Sequence, residues 1–151
     1  MQLLTRDDFR IHASNFNLTR AENLLRIICG AFMFPHALSK FASFGVLSTG
    51  TLGFFGKAGF HPPELWVWMA VLTEAGCGIA LVLGLCTRYA ALGAASALAI
   101  AVYALHTVKG FGWLWNTGGY EYPIFWGAAC LCVALWEFRR VYGDGSAVAA
   151  R

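Results

Sequence analysis

Glu74 lies near the middle of an apolar run, Leu65 to Leu83, that is about long enough to cross the hydrocarbon core of a bilayer. A charged side chain at that depth costs at least about 2.5 kcal/mol, so it persists where it has a partner or a task. Arg26, about one and a half turns into the first apolar stretch, is the expected partner, since a guanidinium on its long stem can nearly close the gap in depth. Two readings suit such a pair. It can be an ion pair that fixes helix register and does nothing further. Alternatively, burial raises the proton affinity of the carboxylate, which would let Glu74 accept a proton beside a redox-active ligand.

A second group of polar residues is expected nearer the opposite surface. His36 and Lys40 are four apart at the end of the first apolar stretch, His106 ends the third, and Glu121 opens the fourth. If both chain ends lie on one side of the membrane, these four reach a similar depth and are expected to converge. Imidazoles beside a carboxylate and an ammonium suit hydrogen bonding and proton exchange with a polar ring such as a quinone headgroup. Metal binding is the weaker reading, because Lys40 competes for the carboxylate and the ligands come from separate segments rather than a local motif. The plain alternative is a set of polar residues snorkelling to the interface.

The elements that must position these residues follow from composition. The chain has 151 residues, is 58% hydrophobic and only 13% charged, and has a mean hydropathy of +0.59, which is too apolar for a soluble domain of this size. Apolar stretches at Ala21 to Ala37, Leu65 to Leu83, Tyr89 to Leu105, and Tyr122 to Trp136 with its flanks read as four spanning helices. Thr19 and Glu22 have the spacing of a capping box, which starts the first helix near Arg20, and Pro62-Pro63-Glu64 suits the first turn of the second. The short link Gly84 to Arg88 makes the second and third helices antiparallel neighbours. Ala70, Glu74 and Gly78 form a small-residue stripe that lets another helix approach, and the alanine-rich third helix reads as the central, most closely packed one. Between the first two spans, the Gly- and Phe-rich stretch from Ser39 to Pro63 reads as a re-entrant or interfacial piece over the outer mouth.

Charge orients the chain. Arg6, Arg10, Arg20, Arg26, Arg88, Arg139, Arg140 and Arg151 fall on the tails, the start of the first span or the second connection, whereas Lys40, Lys57 and Lys109 fall in the first and third connections. The excess of arginine places both termini in the cytoplasm, with Trp66, Trp68, Trp113 and Trp115 at the outer interface and Trp136 at the inner one. The start has no basic, apolar and small-residue succession of a signal peptide. The five cysteines lie in or beside apolar spans and read as reduced packing residues. No phosphate loop, dinucleotide fingerprint, nucleophile elbow or His-rich box is present, and a net charge of +3 points to lipid headgroups rather than nucleic acid.

Several stretches together resemble the DoxX family of small four-helix bacterial membrane proteins. They are "LLRIICGAFMFPHALSKF" with Arg26, His36 and Lys40; Glu74, Gly76 and Gly78; the turn from Gly84 to Arg88; His106; and Gly119 to Glu121 in "GGYEYPIFWGAACLCVAL". The pattern runs from about Leu24 to Leu135 and departs from the family at Ala37 and Cys77, where glycine is usual. The resemblance implies a membrane redox or oxidative-stress role, some relatives being similar to a small subunit of a thiosulfate:quinone oxidoreductase.

The expectation is therefore an all-α protein of the bacterial inner membrane, an antiparallel four-helix transmembrane bundle over residues 21–139 with cytoplasmic tails at 1–20 and 140–151. Its expected function is that of a quinone-linked redox subunit or the membrane anchor of a redox complex. Glu74 and Arg26 would then handle protons, and His36, Lys40, His106 and Glu121 would bind the quinone. A protein partner or further copies of the chain would complete the assembly, and the partner would supply electrons, because the chain has no flavin, haem-attachment or iron-sulfur motif. The rival readings are a non-catalytic scaffold and a transporter of a small solute or metal.

Overall fold

The computed structural model describes residues 4–148, with side chains through Tyr142. Two 3-10 turns, Arg6–Phe9 and Ala13–Phe16, precede helix α1 (Ala21–Ala31) and its continuation α2 (Met33–Leu38). Pro35 explains the interruption at Phe32, because a proline has no N–H to donate to the carbonyl of Ala31 one turn back. A short antiparallel hairpin follows, β1 (Phe41–Ser43) paired with β2 (Val46–Leu47), and then helix α3 (Thr49–Lys57). The long helices α4 (Pro63–Leu83), α5 (Thr87–Lys109) and α6 (Glu121–Val148) complete the chain.

Packing makes an antiparallel bundle of α1/α2, α4, α5 and α6, in which each column touches the next and α6 closes back onto α1. Its core contains Cys29, Met33, Leu81, Ala91, Ala94, Leu98, Trp126, Cys130 and Val133. Small residues set the close contacts. A Cβ on Gly30 would lie 2.7 Å from the Leu81 Cβ and 2.8 Å from the Gly78 carbonyl oxygen, so α1 and α4 pack nearly backbone to backbone. On α5 the alanine face is Ala90, Ala91, Ala94 and Ala95, while Leu92, Ile100 and Tyr103 are exposed. The third helix is thus tightly packed on one face only and is not the enclosed centre of the bundle.

α4 and α5 are each long and apolar enough to cross a membrane. In the most apolar window of each, 22% is buried inside the bundle, and Leu65, Leu72, Ile79 and Ile100 are exposed apolar residues.

The Gly- and Phe-rich stretch is more regular than its sequence suggests. α3 packs on α4 and α5, and Phe55, Phe60, Trp66 and Tyr103 form a chain of ring contacts that fastens it there. The expected capping box at Thr19 is not formed; Arg20 is the N-cap of α1 and makes no side-chain cap bond. A capping box does form at Thr5 and Asp8, within the segment expected to be a tail. That segment folds back across the end of the bundle. At the other end of the chain, α6 runs on through residue 140 to Val148 where a tail was expected, and residues 149–151 lie outside the described ones, as does Arg151's assignment to the basic face.

Candidate functional site

Glu74 is ion-paired, but not to Arg26. Its Oε2 lies 2.5 Å from Lys40 Nζ, and both side chains are largely buried, 15% and 12% exposed. Lys40 follows α2 directly, and its ammonium turns back to donate also to the His36 carbonyl at 3.0 Å. The His36 imidazole is exposed and stands 5.2 Å from the Trp126 ring. A carboxylate and an ammonium therefore meet against α4, about half-way along it, while the His36 ring packs on Trp126 of α6. The arrangement can hold a negative charge on Glu74 without stranding it.

Arg26 has a different task. It is 3% exposed and donates through Nη1 to the carbonyls of Leu81 and Val82, the latter at 3.0 Å, and through Nη2 to the Asn15 carbonyl at 2.6 Å. Leu81 and Val82 belong to the last turn of α4, whose carbonyls lack partners within the helix. A guanidinium there satisfies them and opposes the negative end of the helix dipole. The expected Arg26–Glu74 pair is thus corrected. Glu74 lies nine residues before the end of α4, about 14 Å along its axis, and the terminal carbonyls are the nearer partners for Arg26.

Nor does the outer set converge as a whole. Glu121 opens α6 and accepts a 3.4 Å hydrogen bond from the Trp115 N–H, and the exposed His106 ring is 6.1 Å from that of Tyr120. Among the described residues no hydrogen bond or ion pair joins His106 or Glu121 to His36 or Lys40, and no three His, Cys, Asp or Glu side chains are placed to hold a metal.

Two features escape sequence reasoning, the first of them at the arginine-bearing end. Asp8 and Arg88 form a two-pronged ion pair at 2.7 and 2.8 Å, with side chains 9% and 1% exposed, and the Cys86 N–H donates to the Asp8 carbonyl at 2.7 Å. Burial pushes the Asp8 carboxyl up, but the Thr5 backbone N–H, the Arg88 guanidinium and the Thr5 hydroxyl outweigh it and hold Asp8 below its ordinary value. The Cys86 thiol shifts the other way, raised by burial and by Asp8 against the pull of Arg88. Asn15 and Asn23 extend the cap by donating to the carbonyls of Leu83, Ser14 and Asn17. The second missed feature is Trp126, whose indole N–H donates to the Cys29 carbonyl at 3.2 Å inside the core. Only the capping-box spacing of Thr5 and Asp8 hinted at the first, and no sequence signal indicated the second.

A family model described as DoxX matches residues 22–107, more than half of the chain, and the chain belongs to that family. The match takes in Arg26, His36, Lys40, Glu74, Arg88 and His106 and stops short of Glu121. No match was found among curated proteins or among solved structures.

Proposed function

From its membership of the DoxX family of membrane proteins, we propose that the chain is a membrane subunit of a quinone-linked redox complex in the bacterial inner membrane. On this reading all four columns of the bundle span the bilayer, both termini are cytoplasmic, and a partner protein supplies the electrons. The observation that carries the proposal is the largely buried Lys40–Glu74 pair half-way along an apolar helix. A carboxylate maintained there at a cost suits a site where protons are taken up and released.

In this mechanism α2 and α4 would hold a quinone ring, which would supply the two-electron redox chemistry. Glu74 would take up or return the proton that accompanies the partner's electrons, Lys40 would stabilise the charge left on the carboxylate, and His36, exposed one turn before Lys40, would exchange protons with the outer surface. His106 and Glu121 stand apart from the reacting groups. Arg26 holds the end of α4 and takes no part in proton transfer.

The test is quinone content and quinone-dependent turnover of the purified complex for wild type, Glu74→Gln, His36→Ala and His106→Ala, with melting temperature read on the same samples. Glu74→Gln is expected to lower turnover by roughly 100-fold, as loss of a general acid-base group does, and His36→Ala should also lower it, while His106→Ala stays near wild type. A second reading, a scaffold that only anchors its partner, is favoured by the structural use made of Arg26 and Arg88. Turnover unchanged in folded Glu74→Gln would establish the scaffold in place of the quinone site.

A further inference from the structure

Two cavities of opposite character meet at Glu137. One, of about 390 Å³, opens beneath the N-terminal segment and is lined by side chains of both signs, including Asp7, His12 and Arg140. The other, of about 230 Å³, is a groove between α1 and α6 walled by Leu25, Val133 and Trp136. Glu137 lines both, with its side chain 9% exposed. Arg140 donates to Glu137 Oε2 at 3.1 and 2.8 Å from Nε and Nη2, and its guanidinium lies 5.8 Å from the centre of the Trp136 ring. Val133, Trp136, Glu137 and Arg140 follow at helical spacing along α6, so one face of that helix passes from apolar wall to polar chamber within two turns.

We infer that these cavities form one site for a zwitterionic aminophospholipid of the inner leaflet. Its phosphate meets Arg140, its primary ammonium faces Asp7, and one acyl chain runs into the groove past Trp136, between Leu25 and Val133. Charge selects a zwitterionic head, and the Asp7 carboxylate, an acceptor, favours a primary ammonium with N–H donors over a quaternary one without them. Asp7, which also hydrogen-bonds His12, and Glu137 on the chamber wall, with Glu22 at the groove, oppose an anionic lipid, and the half-exposed Arg140 opposes a purely cationic amphiphile. A head carrying both signs satisfies the two halves of the lining together. Position agrees, because Trp136 with neighbouring arginines is the composition of a membrane-water interface. The inference rests on the bundle lying in a bilayer and is independent of the quinone chemistry.

The test uses the full chain in mild detergent, incubated with equimolar phosphatidylethanolamine, phosphatidylglycerol and phosphatidylcholine and examined by native mass spectrometry. One phosphatidylethanolamine should be retained, with roughly tenfold preference over each of the others, the ratio that about 1.4 kcal/mol gives. Leu25→Trp, which fills the groove, and Arg140→Gln, which removes the phosphate donor, should each abolish that preference. Arg140 is half exposed, so its variant should retain the fold and carries the test alone if Leu25→Trp does not fold. Soluble phosphoethanolamine at millimolar concentration should fail to displace the lipid; displacement would show a site for the free head and overturn the two-chamber reading. Equal retention of the three lipids, preference for phosphatidylglycerol, or an unchanged preference in folded Arg140→Gln would equally overturn it.

Discussion

Lys40 and Glu74 lose different things when either is cut away, and that asymmetry makes the pair testable. Glu74→Gln leaves a largely buried ammonium facing an amide, whereas Lys40→Met leaves a carboxylate that can protonate in place. In a double-mutant cycle the two should couple by about 1–3 kcal/mol, read from detergent melting curves, while Arg26→Met and Glu74→Gln should add to within about 0.5 kcal/mol. Strong coupling between Arg26 and Glu74 would contradict the partners described above. Asp8 gives a pH signature. Its carboxyl is held below its ordinary value in the fold, so the stabilisation from the Arg88 pair is fully present above the ordinary carboxylate range and is lost as pH falls through the folded value. Between about pH 5 and pH 3 the melting temperature of wild type should therefore fall more steeply than that of Asp8→Asn, which starts lower; parallel curves would show that Asp8 contributes nothing. That Glu74 needed a partner was legible from hydropathy alone. Which partner was not, because hydropathy fixes depth only to within a turn or two and says nothing about where an interrupted helix ends. Lys40 reaches Glu74 because the first column ends at Leu38 and the side chain turns back along it.

At the scale of elements, the contact between α1 and α4 depends on the absence of side chains. A Cβ on Gly30 would fall inside contact distance of Leu81, of the Gly78 carbonyl and of the Val82 nitrogen, all parts of a packed helix that cannot yield locally. Gly30→Ala should therefore cost about 1–3 kcal/mol despite alanine's better helix propensity. Gly76, two residues from Gly78 on the same helix, has open space where its Cβ would be, so Gly76→Ala should be neutral or stabilise by up to about 1 kcal/mol. Paired thermal melts of the two variants decide the matter, and a harmless Gly30→Ala would mean that the helices are farther apart. The long helices were legible because apolar runs bounded by Pro63, Gly84 and Thr87 leave little choice. Gly84, at φ 77°, ends α4 in the left-handed conformation that glycine adopts freely, and the Leu85 N–H reaches back to the Ala80 carbonyl at 2.8 Å. The hairpin and α3 were not legible. Glycines at 50, 53 and 56 argue against a helix by propensity, and what holds α3 is Phe55 packed on Phe60, whose ring meets Trp66 and, far along the chain, Tyr103.

Across the whole molecule, three segments far apart in sequence occupy one end. Asp8 grips Arg88, Asn15 bonds to Leu83, and Glu137 and Arg140 line the same chamber as Asp7 and His12. The N-terminal segment, the α4–α5 turn and the later part of α6 must therefore share one side of any membrane the bundle crosses. Charge chooses the side: Arg6, Arg10, Arg20, Arg88, Arg139 and Arg140 gather at or near this end, while Lys109 ends the helix that leads away from it and Lys57 ends α3 in the opposite connection. The bias predicts a cytoplasmic face for the arginines and an outer face for the connection from Gly110 to Tyr120. In intact cells, Asn116→Cys should react with a membrane-impermeant maleimide, while a cysteine in place of Ser14 should react only after the membrane is opened. A fluorescent protein fused after Arg140 should be fluorescent, and alkaline phosphatase at the same point inactive. Because the cap ties Asp8 to Arg88, the Ser14 and Arg140 reports must agree with each other whichever way the chain inserts. Disagreement would mean that the N-terminal segment does not lie across the end of the bundle in the membrane, and agreement on the outer side would reverse the orientation while leaving the packing intact.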